Sequence, residues 1–128
     1  MRTIVGVFGP AMTGDDERAA ALSRLAARHL EVVALEASLI ADLIGMVEAS
    51  VGSNADDEHD PEGSTLAFER AQVQSLLEHA QVLLADISLA MARVNDHSYG
   101  SCTGCGKQIA EERLEARPTA TRCIHCAR

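Results

Sequence analysis

Aromatic side chains are nearly missing from this chain: it has no tryptophan, one tyrosine and two phenylalanines in 128 residues. Globular cores usually draw much of their burial from such rings. Hydrophobic residues still make up 47% of the sequence, so Ala, Leu, Val and Ile must supply nearly all the apolar surface. A chain of that kind packs helix on helix. A basic face is missing too. The formal charge is −8, and metal-bound thiolates would lower it further, which argues against direct DNA binding and for a protein or metal partner. No stretch is free enough of charge to span a membrane. The most apolar one, residues 30–47, holds Glu31, Glu36 and Asp42. The run from Thr3 to Phe8 is too short for the core of a signal peptide. These absences predict a cytoplasmic protein, in a compartment where thiols stay reduced and favour metal over disulfides. The length suits one domain, or one small domain with an appendage.

What is present is heptad spacing. Residues 13–51 read as one helix, with Thr13 as cap, Asp16 three residues later, and Asp15, Asp16 and Glu17 at the positive end of the helix dipole. Within it, Ala26, Leu30, Val33, Ala37, Ile40, Ile44, Val47 and Val51 follow alternating steps of four and three, the spacing of a coiled-coil seam. The polar run Ser53–Asp60 reads as a loop. Asp60 then caps a second helix with Pro61 at its first position, running to about Asn95. Its seam is Leu66, Arg70, Val73, Leu77, Ala80, Leu84, Ile87, Met91 and Val94. Facing layers of an antiparallel pair must keep a constant sum of residue numbers, and Val51 with Leu66 through Ala26 with Met91 does so without a gap. The expected fold is mainly α: a long antiparallel coiled-coil hairpin over residues 13–97 with an acidic tip near 52–62, followed by a small four-cysteine zinc finger at 98–128. Residues 1–12 form an N-terminal segment outside both. The first helix also carries a second apolar row, Leu22, Leu25, Val32, Leu35, Leu39, Leu43 and Met46. That is more than a two-stranded seam needs, so the extra row is expected to pack on the N-terminal segment or on another chain, as in a homodimer. A compact bundle of three or four helices is the alternative architecture.

All four cysteines fall in two C-x2-C pairs, Cys102/Cys105 and Cys123/Cys126. This spacing belongs to zinc sites, because each short turn aims two sulfurs at one centre and two turns complete a tetrahedron. Four thiolates leave no open position for a water, so the expected cofactor is one structural Zn²⁺. Gly104 and Gly106 ease the first turn. Tyr99, Ile109, Leu114, Pro118 and Ile124 are the only candidates for a finger core, and a module this small normally needs its metal to fold. With the shell filled by sulfur, His97 and His125 read as surface residues.

The segment from Tyr99 to Cys126 resembles the four-cysteine finger of the bacterial DksA/TraR family. The telling part is Arg113-Leu-Glu-Ala-Arg-Pro-Thr-Ala120 between the cysteine pairs, which a generic zinc ribbon would not carry. The resemblance implies a regulator that binds RNA polymerase rather than DNA. Its coiled coil enters the secondary channel, where an acidic tip approaches the active centre and alters the stability of promoter complexes. On that pattern the partner-binding tip residues are Asp57, Asp60 and Glu62. The family's tip reads Asp-x-x-Asp-x-Ala; Asp57 and Asp60 keep the acids here, but Glu62 replaces the alanine. Counting back from Cys102 without gaps puts His59, Glu62 and Ser64 there instead. Ala85 and Asp86 stand where the family has paired lysines, so a response to ppGpp is not implied. Read without the resemblance, Asp60 is a helix cap and its acidic neighbours a solvated turn.

Two functions follow from different classes. One is a transcription regulator acting on RNA polymerase. The other is a zinc-stabilised helical hairpin serving as an adaptor or dimerisation module. No Ser/His/Asp set, phosphate loop or open metal shell suggests an enzyme.

Overall fold

The computed structural model describes residues 14–52 and 61–127, with backbone alone at Gly52 and residues 61–64. Among the described residues, three helices follow in order: α1 (Gly14–Gly52), α2 (Pro61–Asn95) and α3 (Glu111–Ala116). Asp15, Asp16 and Glu17 fill the first turn of α1, where the exposed N–H groups favour negative charge. Pro61 opens α2, where its fixed φ suits the first turn and its missing N–H costs nothing. The expected cap Thr13, loop Ser53–Asp60 and N-terminal segment lie outside the described residues. Among the described residues, the one β feature is an antiparallel bridge between Ser101 and Gln108. No described helix is long and apolar enough to cross a membrane.

α2 ends in a built stop. The Ser98 N–H donates to the Arg93 carbonyl at 2.9 Å and the His97 N–H to the Val94 carbonyl at 3.3 Å, with His97 at φ 67°. This is a Schellman turn, with histidine in the left-handed position that glycine usually fills. The Asp96 carboxylate accepts from the Ser98 hydroxyl and from its N–H. Those two bonds hold the Asp96 carboxyl below its ordinary pKa, the hydroxyl contributing most.

The chain divides into two compact units. Among the described residues, the first comprises 14–27 and 87–127. In it Ala21 and Leu25 of α1 are buried, as are Ile87, Ala90 and Val94 of α2. Arg18 Nε donates to the Val94 carbonyl at 3.3 Å, and Arg24 pairs with Glu111 of α3 at 3.3 Å. These two contacts fix which face of α1 turns inward. The second unit, residues 28–86, buries Val32 and Leu39 of α1 and Ala80 of α2. Glu36, Leu43, Met46, Val73, Leu77 and Leu84 are half-buried around them. Burying a Val or Leu fully is worth about 1.5–3 kcal/mol, so these few positions hold the helix pair.

The seam of α2 therefore runs where its spacing predicts, from Val73 to Val94, while Leu66 and Arg70 are exposed. The seam of α1 does not. The row from Ala26 to Val51 faces solvent: Leu30 is 70% exposed, Ile44 54% and Val51 81%. The second row, the one through Leu25, Val32, Leu39, Leu43 and Met46, is the row turned inward. Leu35, counted with that row, is exposed. The expected surplus has changed places: the inward row is unavailable to another chain, and the row expected to be the seam is open. The reason is geometric. Two rows one residue apart share the same four-three spacing, so each matches α2 with its own constant sum. The matching sum tests the period and not the choice of row.

Candidate metal centre

The finger is assembled from backbone bonds that bring its two ends together. The Cys102 N–H donates to the Lys107 carbonyl at 2.8 Å and the Gly106 N–H to the Cys102 carbonyl at 2.9 Å. They close a tight turn, with Gly106 at φ +77°. The Thr103 N–H reaches the Thr121 carbonyl at 2.8 Å, tying the first cysteine turn to the stretch of chain before the second. The second turn closes through the Cys126 and Ala127 N–H groups on the Cys123 carbonyl, at 3.1 and 2.9 Å. A small core backs this frame: Cys102, Ile109 and Leu114 are buried, with Tyr99, Ala120, Cys123 and Cys126 packed against them. The Tyr99 hydroxyl donates to the Pro118 carbonyl at 2.7 Å, and Arg113 Nε donates to the Arg122 carbonyl at 2.8 Å. Ile124, expected in this core, is 64% exposed; it lies inside the second cysteine turn, whose two sulfurs take the inward directions. His97 and His125 are exposed, as expected.

All four sulfurs, of Cys102, Cys105, Cys123 and Cys126, lie within 4.8 Å of one another. Cys105 and Cys123 Sγ are 3.8 Å apart. Sulfurs at ~2.3 Å from a tetrahedral zinc are ~3.8 Å apart, so this edge already has the length a zinc ion requires. The cysteines are free thiols. Their electrostatics are in conflict without a cation. The backbone N–H of Cys123 and, more weakly, those of Cys105 and Gly104 hold the Cys102 thiol down to about 6 against its burial. The Cys126 thiol is pushed up to about 12 by the facing sulfurs of Cys123, Cys102 and Cys105. The Cys126 N–H draws Cys123 downward. One sulfur is readily ionised and its neighbour resists, because four like charges cannot share so small a volume. A divalent ion removes the conflict by deprotonating coordinating thiols outright.

Spacing alone did not disclose the part played by Gly104. A Cβ built there would stand 3.0 Å from Cys126 Sγ and 3.1 Å from Cys126 Cβ, so the absent side chain is what lets the two cysteine turns meet. The tip acids are not brought into this site. Asp57 and Asp60 lie outside the described residues, and Glu62 falls in the first turn of α2, where the backbone alone is described.

Residues 97–128 match the prokaryotic dksA/traR C4-type zinc finger family. Among curated proteins, the chain is similar to the RNA polymerase-binding transcription factor DksA of Escherichia coli, at 46% identity over 44 residues, which cover 34% of this chain and 29% of that protein. It is also similar to general stress protein 16O of Bacillus subtilis, at 37% identity over 72 residues, covering 56% of this chain and 44% of that one. The matches thus span less than half the length of these relatives. Among solved structures, the transcription factor DksA2 of Pseudomonas aeruginosa shares the fold with a TM-score of 0.75 and 24% identity, over 93% of this chain and 87% of that one. Residues 97–128 therefore carry a finger of the dksA/traR C4-type family, and they follow two long helices in the fold that DksA2 shows.

Proposed function

We propose that this chain is a transcription regulator that binds bacterial RNA polymerase, and that Cys102, Cys105, Cys123 and Cys126 hold one structural zinc ion at its base. The observation that carries this reading is the combination of the finger at 46% identity to an RNA polymerase-binding factor with a matching fold over nearly the whole chain. The four sulfurs leave no coordination position for a reacting water, which suits a structural ion and a regulator rather than an enzyme. The net charge of −8 suits a cytoplasmic protein that acts through protein contacts and not on the DNA backbone. In this reading residues 13–97 are an arm, residues 98–128 the zinc-bound base, and residues 52–62 a tip. The arm enters the secondary channel of the polymerase, and Asp57, Asp60 and Glu62 approach the catalytic Mg²⁺. The test is retention of zinc-loaded chain on immobilised cognate RNA polymerase. Binding at moderate salt is expected; no binding at any salt concentration would end the proposal.

A second reading, a zinc-stabilised adaptor unrelated to polymerase, draws support from one observation, the exposed apolar row on α1. It predicts no polymerase binding at all, so the same assay separates the two.

A further inference from the structure

Where α1 begins, the first unit holds a cavity of about 360 Å³. Its floor is built from buried core residues, Ala21, Val94, Ile109 and Leu114. Pockets for free ligands run from about 300 to 1,000 Å³, so this one suits a single ring with a little chain beside it. Its walls ask for three things. The first is an acceptor. Arg24 lines the cavity, and its Nε is buried with no hydrogen-bond partner, while NH1 of the same guanidinium pairs with Glu111 at 3.3 Å. A buried donor is costly to leave unpaired. The second is a strand partner. In the bridge between Ser101 and Gln108, the bonds run from the Cys102 N–H to the Lys107 carbonyl and from the Ile109 N–H to the Gly100 carbonyl. That pattern turns the N–H and carbonyl of Gln108 away from Ser101, and Gln108 also lines the cavity. The third is positive charge. Asp15, Glu17 and Glu111 stand at the rim. Asp15 and Glu111 pair with Arg18 and Arg24, which leaves Glu17 without a cationic partner among the described residues.

We propose that the cavity is the seat of the chain's own N-terminal segment, with residues 3–8 laid as a short strand beside Gln108 and the Phe8 ring in the cavity. An extended peptide supplies what the walls lack. Its carbonyls can accept from Arg24 Nε, and its backbone can add to the open edge at Gln108. Ile4, Val5, Val7 and Phe8 are β-branched or aromatic types, which favour strands. Residues 1–13 carry one charged side chain, Arg2, and no acid, which suits a rim with Glu17 to spare. The tether selects this occupant over a separate chain. Gly14 is itself part of the lining, and Phe8 stands six residues before it, a reach of up to about 20 Å. So short a link holds the segment at an effective concentration on the order of millimolar. This inference concerns the first unit alone and stands independently of the polymerase reading.

The experiment is nuclear magnetic resonance on the zinc-loaded full chain. It has two phenylalanines, Phe8 and Phe68, and Phe68 is exposed on α2, so the two ring signals are readily told apart. Overhauser contacts are expected from the Phe8 ring to the methyl groups of Val94, Ile109 and Leu114, and the Gln108 amide should exchange slowly with solvent. Phe8→Asp should abolish the contacts and speed that exchange roughly ten-fold or more. Zinc content and helicity should be unchanged, since Phe8 precedes α1 and lies outside the finger. Phe8→Leu keeps an apolar anchor and should keep most of the protection. A wild type whose Phe8 ring meets none of these methyl groups would overturn the proposal and leave the cavity to a ligand from outside the chain. Contacts to the row through Leu30 and Ile44 instead would overturn it by seating the segment elsewhere on α1. Protection of Gln108 that survives Phe8→Asp would reject the strand pairing.

Discussion

Gly104 and Gly106 flank Cys105 and are held to glycine by different physics. At Gly104 the backbone is ordinary, but an added Cβ would meet Cys126 Sγ at 3.0 Å. At Gly106 there is open space, but φ is +77°, which costs an L-residue about 1–2 kcal/mol. Gly104→Ala should therefore displace a ligand sulfur, and zinc should pass to a competing chelator at least about ten-fold faster. Gly106→Ala should keep its zinc and lose about 1–2 kcal/mol of stability. A metal-transfer assay beside a denaturant melt checks both, and equal zinc release from the two variants would contradict this division. Cys123→Ser, which removes a donor altogether, should lower the zinc content sharply in metal analysis. The meeting of the four sulfurs was legible in the sequence because two C-x2-C turns can reach a common centre from spacing alone. The constraint on Gly104 was not legible, because it depends on where Cys126 lies in space. His97 is the third backbone case. It occupies a left-handed position at the end of α2 and is exposed. His97→Gly should relieve that strain and stabilise the turn by about 0.5–1 kcal/mol, measured as a raised denaturation midpoint.

At the scale of the elements, both long helices, the start of α2 at Pro61 and the seam of α2 follow from periodicity and end signals. The rotation of α1 does not. Its outward row is the more uniformly apolar of the two, whereas the inward one includes His29 and Glu36, both half-buried. A reading by hydrophobicity selects the wrong row for that reason. What turns α1 the other way lies at its base. Arg18 bonds the Val94 carbonyl, Arg24 pairs with Glu111, and Ala21 and Leu25 pack inward between them. These contacts join residues far apart in the chain, and no local pattern announces them. The contrast yields a prediction. Leu25 is fully buried, so Leu25→Ala should cost about 2–5 kcal/mol. Ile44→Ala should cost less than about 1 kcal/mol, as for a surface position. Denaturant melts test the pair. Similar losses at the two positions would mean that the row through Leu30 and Ile44 is packed after all.

At the scale of the whole molecule, the metal and the proposed action belong to different parts of the chain, and each can be removed separately. The helix seams contain no cysteine, and α1 and α2 hold 39 and 35 residues against six in α3. A strong chelator should therefore unfold the finger while leaving most of the far-ultraviolet helical signal; complete loss would make helices and finger one cooperative unit. The tip is tested by the opposite operation, which leaves the finger intact. Changing Asp57 and Asp60 together to Asn removes two charges while keeping side-chain size, and Asn still caps a helix as well as Asp does. The fold and the zinc should be unaffected. If the acids act near a polymerase-bound Mg²⁺, their carboxylate oxygens are the groups such a hard cation prefers, and an amide oxygen is a weaker substitute. The double variant should then bind cognate polymerase as the wild type does, yet lose its effect on initiation in a purified transcription assay. A variant that binds and regulates normally would reduce Asp57 and Asp60 to a helix cap and a solvated turn, with the polymerase contact carried by other residues. A variant that no longer binds would instead place the acids among the groups that provide affinity, and the separation of an anchoring base from an acting tip would fail.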